Sequence, residues 1–144
     1  MIDEFMQAAI AEAKKGKAEN GIPIGSVIVK DGKIIGRGHN KRVQDNDPVA
    51  HAEIVCLRNA GRVGTLTNTT LYSTLMPCYL CAGAIIQFGI KNVVIGESET
   101  FQGAKEFMES HGVKLTDLDL SECKQLMLEF IQENSSLWNE DIGE

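Results

Sequence analysis

The sequence lacks the features that mark membrane and exported proteins. No segment approaches the ~18 consecutive apolar residues that a membrane-spanning helix needs. The amphipathic segment 1–16 has no basic stretch followed by an apolar run, so it does not resemble a secretory signal. We therefore expect a cytoplasmic protein with no membrane partner.

Basic residues are outnumbered by acidic ones. The chain has 14 Lys and Arg against 20 Asp and Glu, which gives a net charge of −6. Much of the affinity for nucleic acids comes from Lys and Arg that neutralise phosphates, so this balance argues against a polynucleotide substrate. A protein with this net charge can still have a local basic patch, but we expect no nucleic-acid partner.

Cysteine is scarce, with four residues among 144. In a reducing compartment such residues are free thiols or metal ligands rather than a disulfide framework. The composition, 43% hydrophobic and 24% charged, is that of a globular domain long enough to bury a core without disulfides or metal. A metal site in this chain is therefore expected to serve chemistry rather than to hold the fold together.

What the sequence does contain is an alternation of helical and strand patterns. Helices are predicted at about 2–15, 51–60, 78–88, 103–110 and 120–133, and strands at about 24–29, 33–38, 69–75, 92–96 and 113–115. Asp31-Gly32 predicts a tight antiparallel hairpin between the first two strands. The later strands are joined through helices and can be parallel. This order indicates an α/β protein with a layered sheet, followed by a tail at 134–144.

Two short motifs carry the chemistry, one around His51 and Glu53 and one around Cys78 and Cys81. Cysteines three apart at a helix start lie on nearly one face, where the helix N-terminus favours thiolates. Two thiolates and an imidazole suit tetrahedral zinc, and three protein ligands leave a fourth position for water, as in catalytic sites. Glu53 could take a proton from that water and deliver it to a substrate.

Each motif alone also has an ordinary explanation. A Cys-x-x-Cys pair can be half of a structural zinc site, a redox pair or a chance occurrence. A fourth ligand for a structural site could come from Cys56, Cys123, His39 or His111. Cys56 and Cys123 lie in apolar helical patterns and are expected in the core. A structural-zinc interaction module would explain the cysteines but would leave Glu53 without a role.

The combination is more specific than its parts. His-x-Glu followed some 25 residues later by Pro-Cys-x-x-Cys is the signature of zinc nucleobase deaminases. The chain resembles the cytidine-deaminase-like superfamily almost end to end, and within it the yeast-type cytosine deaminases. The segments that carry this resemblance are Gly21–Gly25, Gly36–Asn40, Thr70–Leu75, Cys81–Ile86 and Trp138–Glu144.

The resemblance implies a single domain over residues 1–144. Its fold would be the cytidine deaminase-like fold, a three-layer α/β/α sandwich with a mixed five-stranded sheet. Each chain would bind one catalytic Zn²⁺ through His51, Cys78 and Cys81, with Glu53 as the catalytic residue. The tail 134–144 would cover the active site, and the protein would be a homodimer. The substrate contacts would come from Asn40, the backbone of Ala52, Phe101, Trp138, Asp141 and Ile142.

The expected reaction is conversion of cytosine to uracil and ammonia, a step of pyrimidine salvage. The chain departs from the yeast-type pattern at Ala52, Met76 and Tyr79, close to the expected pocket. The stretch 47–54 is more similar to the tRNA adenosine deaminases, and bacterial-type guanine deaminases are also small. Both remain alternatives for the substrate.

Overall fold

The computed structural model describes residues 2–144 and contains six helices and five strands in that range. The helices are α1 (Glu4–Ala18), α2 (Ala52–Ala60), α3 (Tyr79–Gln87), α4 (Lys105–Ser110), α5 (Ser121–Glu133) and α6 (Ser135–Asp141). The strands are β1 (Gly25–Lys30), β2 (Lys33–His39), β3 (Thr69–Ser73), β4 (Asn92–Ile95) and β5 (Lys114–Asp117). Every predicted element is present, and α6 is an additional helix within the predicted tail.

The strands form one mixed sheet in the order β2-β1-β3-β4-β5. Strand β1 is antiparallel to both β2 and β3, whereas β3, β4 and β5 are parallel. The predicted hairpin at Asp31 and Gly32 is present, and both residues have positive φ, 52° and 75°. Gly and Asp tolerate this backbone conformation, which matches the twist of the flanking strands.

Helices cover both faces of the sheet. Because side chains alternate along a strand, Val27 and Tyr72 face one side while Ile28 and Leu71 face the other. The first side packs against α1 and α5, and the second packs against α2, α3 and α4. The result is the predicted three-layer α/β/α sandwich.

The parallel arrangement places two chain connections at the same edge of the sheet. Strands β3 and β4 end together at Ser73 and Ile95. The segment 74–78 that leads into α3 and the segment 96–104 that leads into α4 both leave from this edge. Among residues 2–144, no helix has the length and apolar character needed to cross a membrane.

Candidate active site

His51, Cys78 and Cys81 meet at the starts of two helices. His51 is the N-cap residue of α2 and Cys78 that of α3, with Cys81 in the first turn of α3. One nitrogen or sulfur atom from each lies within 4.8 Å of the other two, and His51 Nδ1 lies 3.4 Å from Cys78 Sγ. Two sulfurs and one nitrogen in so compact a group fit the donors and spacing of tetrahedral zinc.

The ionisation of the two cysteines is unequal. A hydrogen bond from the Cys81 thiol lowers the pKa of Cys78 to about 4, with further help from His51 against the effect of burial. The same bond, together with burial, raises the pKa of Cys81 well above its usual value. Zinc binds both as thiolates, so uptake of the metal is expected to release protons.

His51 is buried among groups that carry negative charge. Burial lowers its pKa, but the hydrogen bond with Cys78 and the charge of Asp141 outweigh burial and raise it to about 9. With Nδ1 directed at Cys78, the other ring nitrogen, Nε2, lies 3.8 Å from Asp141 Oδ1. A carboxylate on the far side of a ligating histidine fixes the orientation of its ring.

Glu53 follows His51 in the first turn of α2 and is 4% exposed. Burial raises its pKa to about 7, and the neighbouring Cys78 sulfur adds to this effect. A carboxyl group with a pKa near neutrality can both accept and donate a proton during a reaction cycle.

Asn40 and Asp141 form the polar wall of the pocket. Asn40 is 1% exposed, its Oδ1 accepts the Arg42 N–H at 3.0 Å, and its Nδ2 donates to Asp141 Oδ2 at 3.1 Å. Burial raises the pKa of Asp141, against the opposing effects of His51, Asn40 and Arg42. Each atom of the Asn40 amide can form a second hydrogen bond, so the group can still bind a ligand.

The position of Asn40 is held from behind by the preceding residue. His39 lies between two acidic residues, with Nδ1 3.0 Å from Glu12 Oε1 and Nε2 2.9 Å from Glu19 Oε1. Glu12 also accepts a 2.8 Å hydrogen bond from Arg37 Nε. These bonds tie the end of β2 to α1 and so fix the start of the loop that carries Asn40.

Two aromatic side chains close the pocket. Phe101 and Trp138 pack edge to face, with ring centroids 5.5 Å apart and planes at 88°, a favourable arrangement for aromatic rings. Trp138 belongs to α6 and is 5% exposed. The cavity between them and the metal-ligating group measures about 20 Å³, which is room for about one water molecule.

The structure brings most of the sequence-predicted site residues to this cavity. Those that line it directly are Asn40, His51, Glu53, Cys78, Phe101, Trp138 and Asp141. Cys81 is fully buried within the metal-ligating group, while Ala52 and Ile142 pack in the apolar cluster around Trp138. The other candidate ligands stay apart. Cys56 and Cys123 are buried in the core, and His39 is bound to carboxylates. His111 is exposed after α4, with its Nδ1 2.9 Å from the Phe107 carbonyl oxygen.

Three apolar residues also line the cavity without having been assigned a role from the sequence. They are Ile24, Leu75 and Met76. Ile24 and Leu75 flank strands and look like ordinary core residues, although both belong to segments that carry the family resemblance. The position of Met76 directly before Pro77-Cys78 did mark it as a residue close to the pocket.

Comparisons with known proteins agree with this geometry. The family described as the cytidine and deoxycytidylate deaminase zinc-binding region matches residues 1–97. The chain is 44% identical over 142 residues to a cytosine deaminase of Candida albicans, covering 96% of this chain and 95% of that protein. It is 38% identical to a tRNA-specific adenosine deaminase of Haemophilus influenzae, over 90% of this chain and 83% of that protein.

A solved guanine deaminase from Bacillus subtilis superposes with a TM-score of 0.61 at 33% identity, covering 78% of this chain and 72% of that one. The names of these three relatives thus give three different substrates, cytosine, tRNA adenosine and guanine. By its match to the family over the first 97 of its 144 residues, and by its near full-length similarity to one member, the chain belongs to the cytidine and deoxycytidylate deaminase family.

Proposed function

We propose that this protein hydrolytically deaminates a free nucleobase, with cytosine as the substrate and uracil and ammonia as the products. The observation that carries the proposal is the position of α6, whose Trp138 and Asp141 form part of the pocket wall. A pocket closed in this way suits a small ring with no attached sugar or chain. The 44% identity to a cytosine deaminase supports the same substrate.

In this proposal Glu53 is the proton carrier. His51, Cys78 and Cys81 would hold zinc, which would lower the pKa of a bound water so that this water could act as the nucleophile. The Glu53 carboxylate would accept one proton from that water and pass it to the ring nitrogen of the base. It would then take the second proton from the added hydroxyl group and deliver it to the amine, which leaves as ammonia when its bond to the ring carbon breaks. The burial of Glu53 keeps bulk water from competing for the proton during transfer.

The remaining polar groups orient the base. Asn40 Nδ2 has a hydrogen free to donate to a ring carbonyl, and the Asp141 carboxylate can accept from the exocyclic amine. The backbone N–H of Ala52, in the first turn of α2, is a further donor, because the first N–H groups of a helix lack partners within it. Phe101, Trp138 and Ile142 would cover the ring and exclude water.

A guanine substrate is the second candidate. It is supported by the similarity to the Bacillus subtilis guanine deaminase and by the departures from the yeast-type pattern at Ala52, Met76 and Tyr79. Cytosine is preferred because the 44% identity to a cytosine deaminase extends over 96% of this chain, whereas the guanine deaminase superposes on 78% of it at 33% identity. A tRNA substrate is disfavoured by the net charge of −6 and by the cover that α6 provides.

We also propose that the protein is a homodimer, as the yeast-type resemblance implies, acting in cytoplasmic pyrimidine salvage. A surface cleft of about 780 Å³ between α2 and α3 lies outside the catalytic pocket and supports this assembly. Its wall includes Phe88, which is 54% exposed, and Val63, which is 36% exposed. Sedimentation velocity of the wild type and of Phe88→Glu measures the oligomeric state. A monomeric wild type would contradict the homodimer proposal.

The function itself is tested by ammonia release from zinc-loaded protein. Cytosine would be compared with cytidine, guanine, adenine and a tRNA anticodon stem-loop at equal concentrations. Turnover of cytosine in clear preference to the others is the expected result. Preferred turnover of guanine would mean that guanine is the substrate, while the deaminase chemistry would stand. No turnover of any of the five compounds would contradict the proposal.

A further inference from the structure

Glu97 is a fully buried acidic residue that does not line the catalytic pocket. It follows β4 at the start of the segment 97–104, and its exposed fraction is 0%. Burying a carboxylate is costly unless hydrogen bonds satisfy it. Its presence here therefore needs a specific role.

The carboxylate binds one residue, Thr100. Glu97 Oε2 accepts the backbone N–H of Thr100 at 3.0 Å, and Glu97 Oε1 accepts the Thr100 hydroxyl. Among residues 2–144 these are its only side-chain hydrogen bonds. We call this pair the Glu97–Thr100 clasp.

The clasp belongs to the segment 97–104, whose backbone is fixed at both ends. At one end, the Glu97 carbonyl accepts the backbone N–H of Met76 at 3.0 Å. At the other, the Ala104 N–H donates to the Pro77 carbonyl at 2.9 Å. Gly103 makes this second contact possible, because a Cβ there would lie 2.5 Å from the Pro77 oxygen. Between these ends the clasp fixes the backbone immediately before Phe101.

We propose that Glu97 is a positioning residue, which acts through Thr100 to hold Phe101 against Trp138 over the catalytic pocket. This inference rests on the proposed function, since it assigns Phe101 to the cover of the nucleobase. The edge-to-face contact between Phe101 and Trp138 is the part of that cover that depends on the clasp. Without the clasp, Phe101 is free to move away from the Trp138 ring. This movement weakens binding of the base more than it slows the chemical step.

The test uses Thr100→Val, which keeps the shape of Thr100 and removes its hydroxyl. Thr100→Ser restores the hydroxyl and is the rescue variant. Ser98→Ala is the matched control, because Ser98 lies in the same segment but its hydroxyl donates outward to Asp117. Should Thr100→Val reduce the folded fraction, Thr100→Ala makes the same deletion with a smaller side chain.

The first readout needs no turnover. Trp138 is the one tryptophan in the chain, so its fluorescence and its quenching by acrylamide report directly on the cover. Thr100→Val should increase quenching, whereas Thr100→Ser and Ser98→Ala should match the wild type. Unchanged quenching in Thr100→Val, or an equal increase in Ser98→Ala, would overturn the proposal.

The second readout is steady-state kinetics with the base that the wild type turns over. Thr100→Val should raise KM by about tenfold, as expected for losing one buried hydrogen bond, with a smaller change in kcat. A fall in kcat at constant KM would contradict the positioning role. Wild-type protein that turns over no base would refute the proposed function, while the quenching result would still decide whether the clasp holds Phe101.

Discussion

Asn40 and Asp141 are 101 positions apart in the sequence, yet Asn40 Nδ2 donates a 3.1 Å hydrogen bond to Asp141 Oδ2. The bond joins the loop after β2 to α6, so Asn40 and Asp141 fix the orientation of each other's side chains. Arg42 lies beside them, with its Nε 4.0 Å from the same Asp141 oxygen. A substrate that binds Asn40 therefore contacts an amide whose orientation is already fixed by its hydrogen bond to Asp141 of α6.

Replacing Asp141 with Asn should lower kcat/KM by about 10- to 100-fold, because a charged hydrogen-bond acceptor for the substrate amine is lost. Folding should change little, as the side chain keeps its shape. Glu140→Gln is the matched control, since Glu140 is adjacent in sequence but its side chain is 67% exposed. An equal loss in both variants would mean that the effect comes from general charge rather than from contact with the substrate.

Glu53→Ala should lose turnover by at least about 100-fold, the contribution typical of a positioned general acid–base group. Its zinc content should stay at that of the wild type, because Glu53 is not among the metal-ligating residues. Metal analysis and ammonia release on the same preparation measure both quantities. Glu106→Ala, an exposed acidic residue in the first turn of α4, serves as the control. Retained activity or lost zinc would show that Glu53 has another role.

Cys81→Ala should reduce bound zinc below one ion per chain, because two protein ligands hold zinc more weakly than three. Cys123→Ala is the matched control, since Cys123 is 1% exposed but lies in the core away from the metal-ligating group. It should lose some stability and keep its zinc. Equal zinc content in the wild type and Cys81→Ala would exclude Cys81 as a ligand.

Removal of residues 137–144 should impair activity more than folding. The deletion takes away Trp138 and Asp141 from the pocket but leaves all five strands and α1 to α5 intact. Thermal unfolding and kcat/KM, measured side by side, separate the two effects. Full activity in the shortened protein would show that α6 is not needed as a cover.

The Glu12 cluster predicts a pH dependence of stability. Burial tends to raise the pKa of Glu12, but hydrogen bonds from His39, Arg37 and Lys15 outweigh it and lower the pKa from 4.5 to about 2. The folded state therefore prefers the carboxylate. This preference stabilises the fold above about pH 4.5 and is lost as the pH falls toward 2.

Glu12→Gln should accordingly lower the free energy of unfolding by about 1 to 3 kcal/mol at pH 7, and the difference from wild type should shrink below pH 4. Urea unfolding at several pH values measures this difference. The exposed Glu109→Gln is the control. A difference that stays constant with pH would falsify the assignment of this stability to the Glu12 carboxylate.

The sequence predicted those parts of the molecule that follow from local rules. The metal-ligating residues could be found because zinc needs particular side chains at a fixed offset from a helix start. The alternation of strands and helices could be found from hydrophobic periodicity. Helix α1 spans Glu4–Ala18, so the end predicted at about residue 15 was three residues too early. The helix ends before Asn20, which has a φ of 64°.

Other features depend on contacts between distant segments and left no local signal. Helix α6 is only seven residues long and mostly polar, so its formation relies on packing of Trp138 rather than on propensity. Ile24 and Leu75 resemble ordinary core residues until the pocket is seen. The Glu97–Thr100 clasp is equally hidden, because an acidic residue three positions before a threonine is common on protein surfaces.

Because α6 supplies Trp138 and Asp141, the catalytic pocket is completed only by residues close to the end of this sequence. During synthesis the sheet and the metal-ligating group can assemble first, and the binding wall is finished when residue 141 has left the ribosome. A nascent or prematurely terminated chain could therefore hold metal without being a working enzyme.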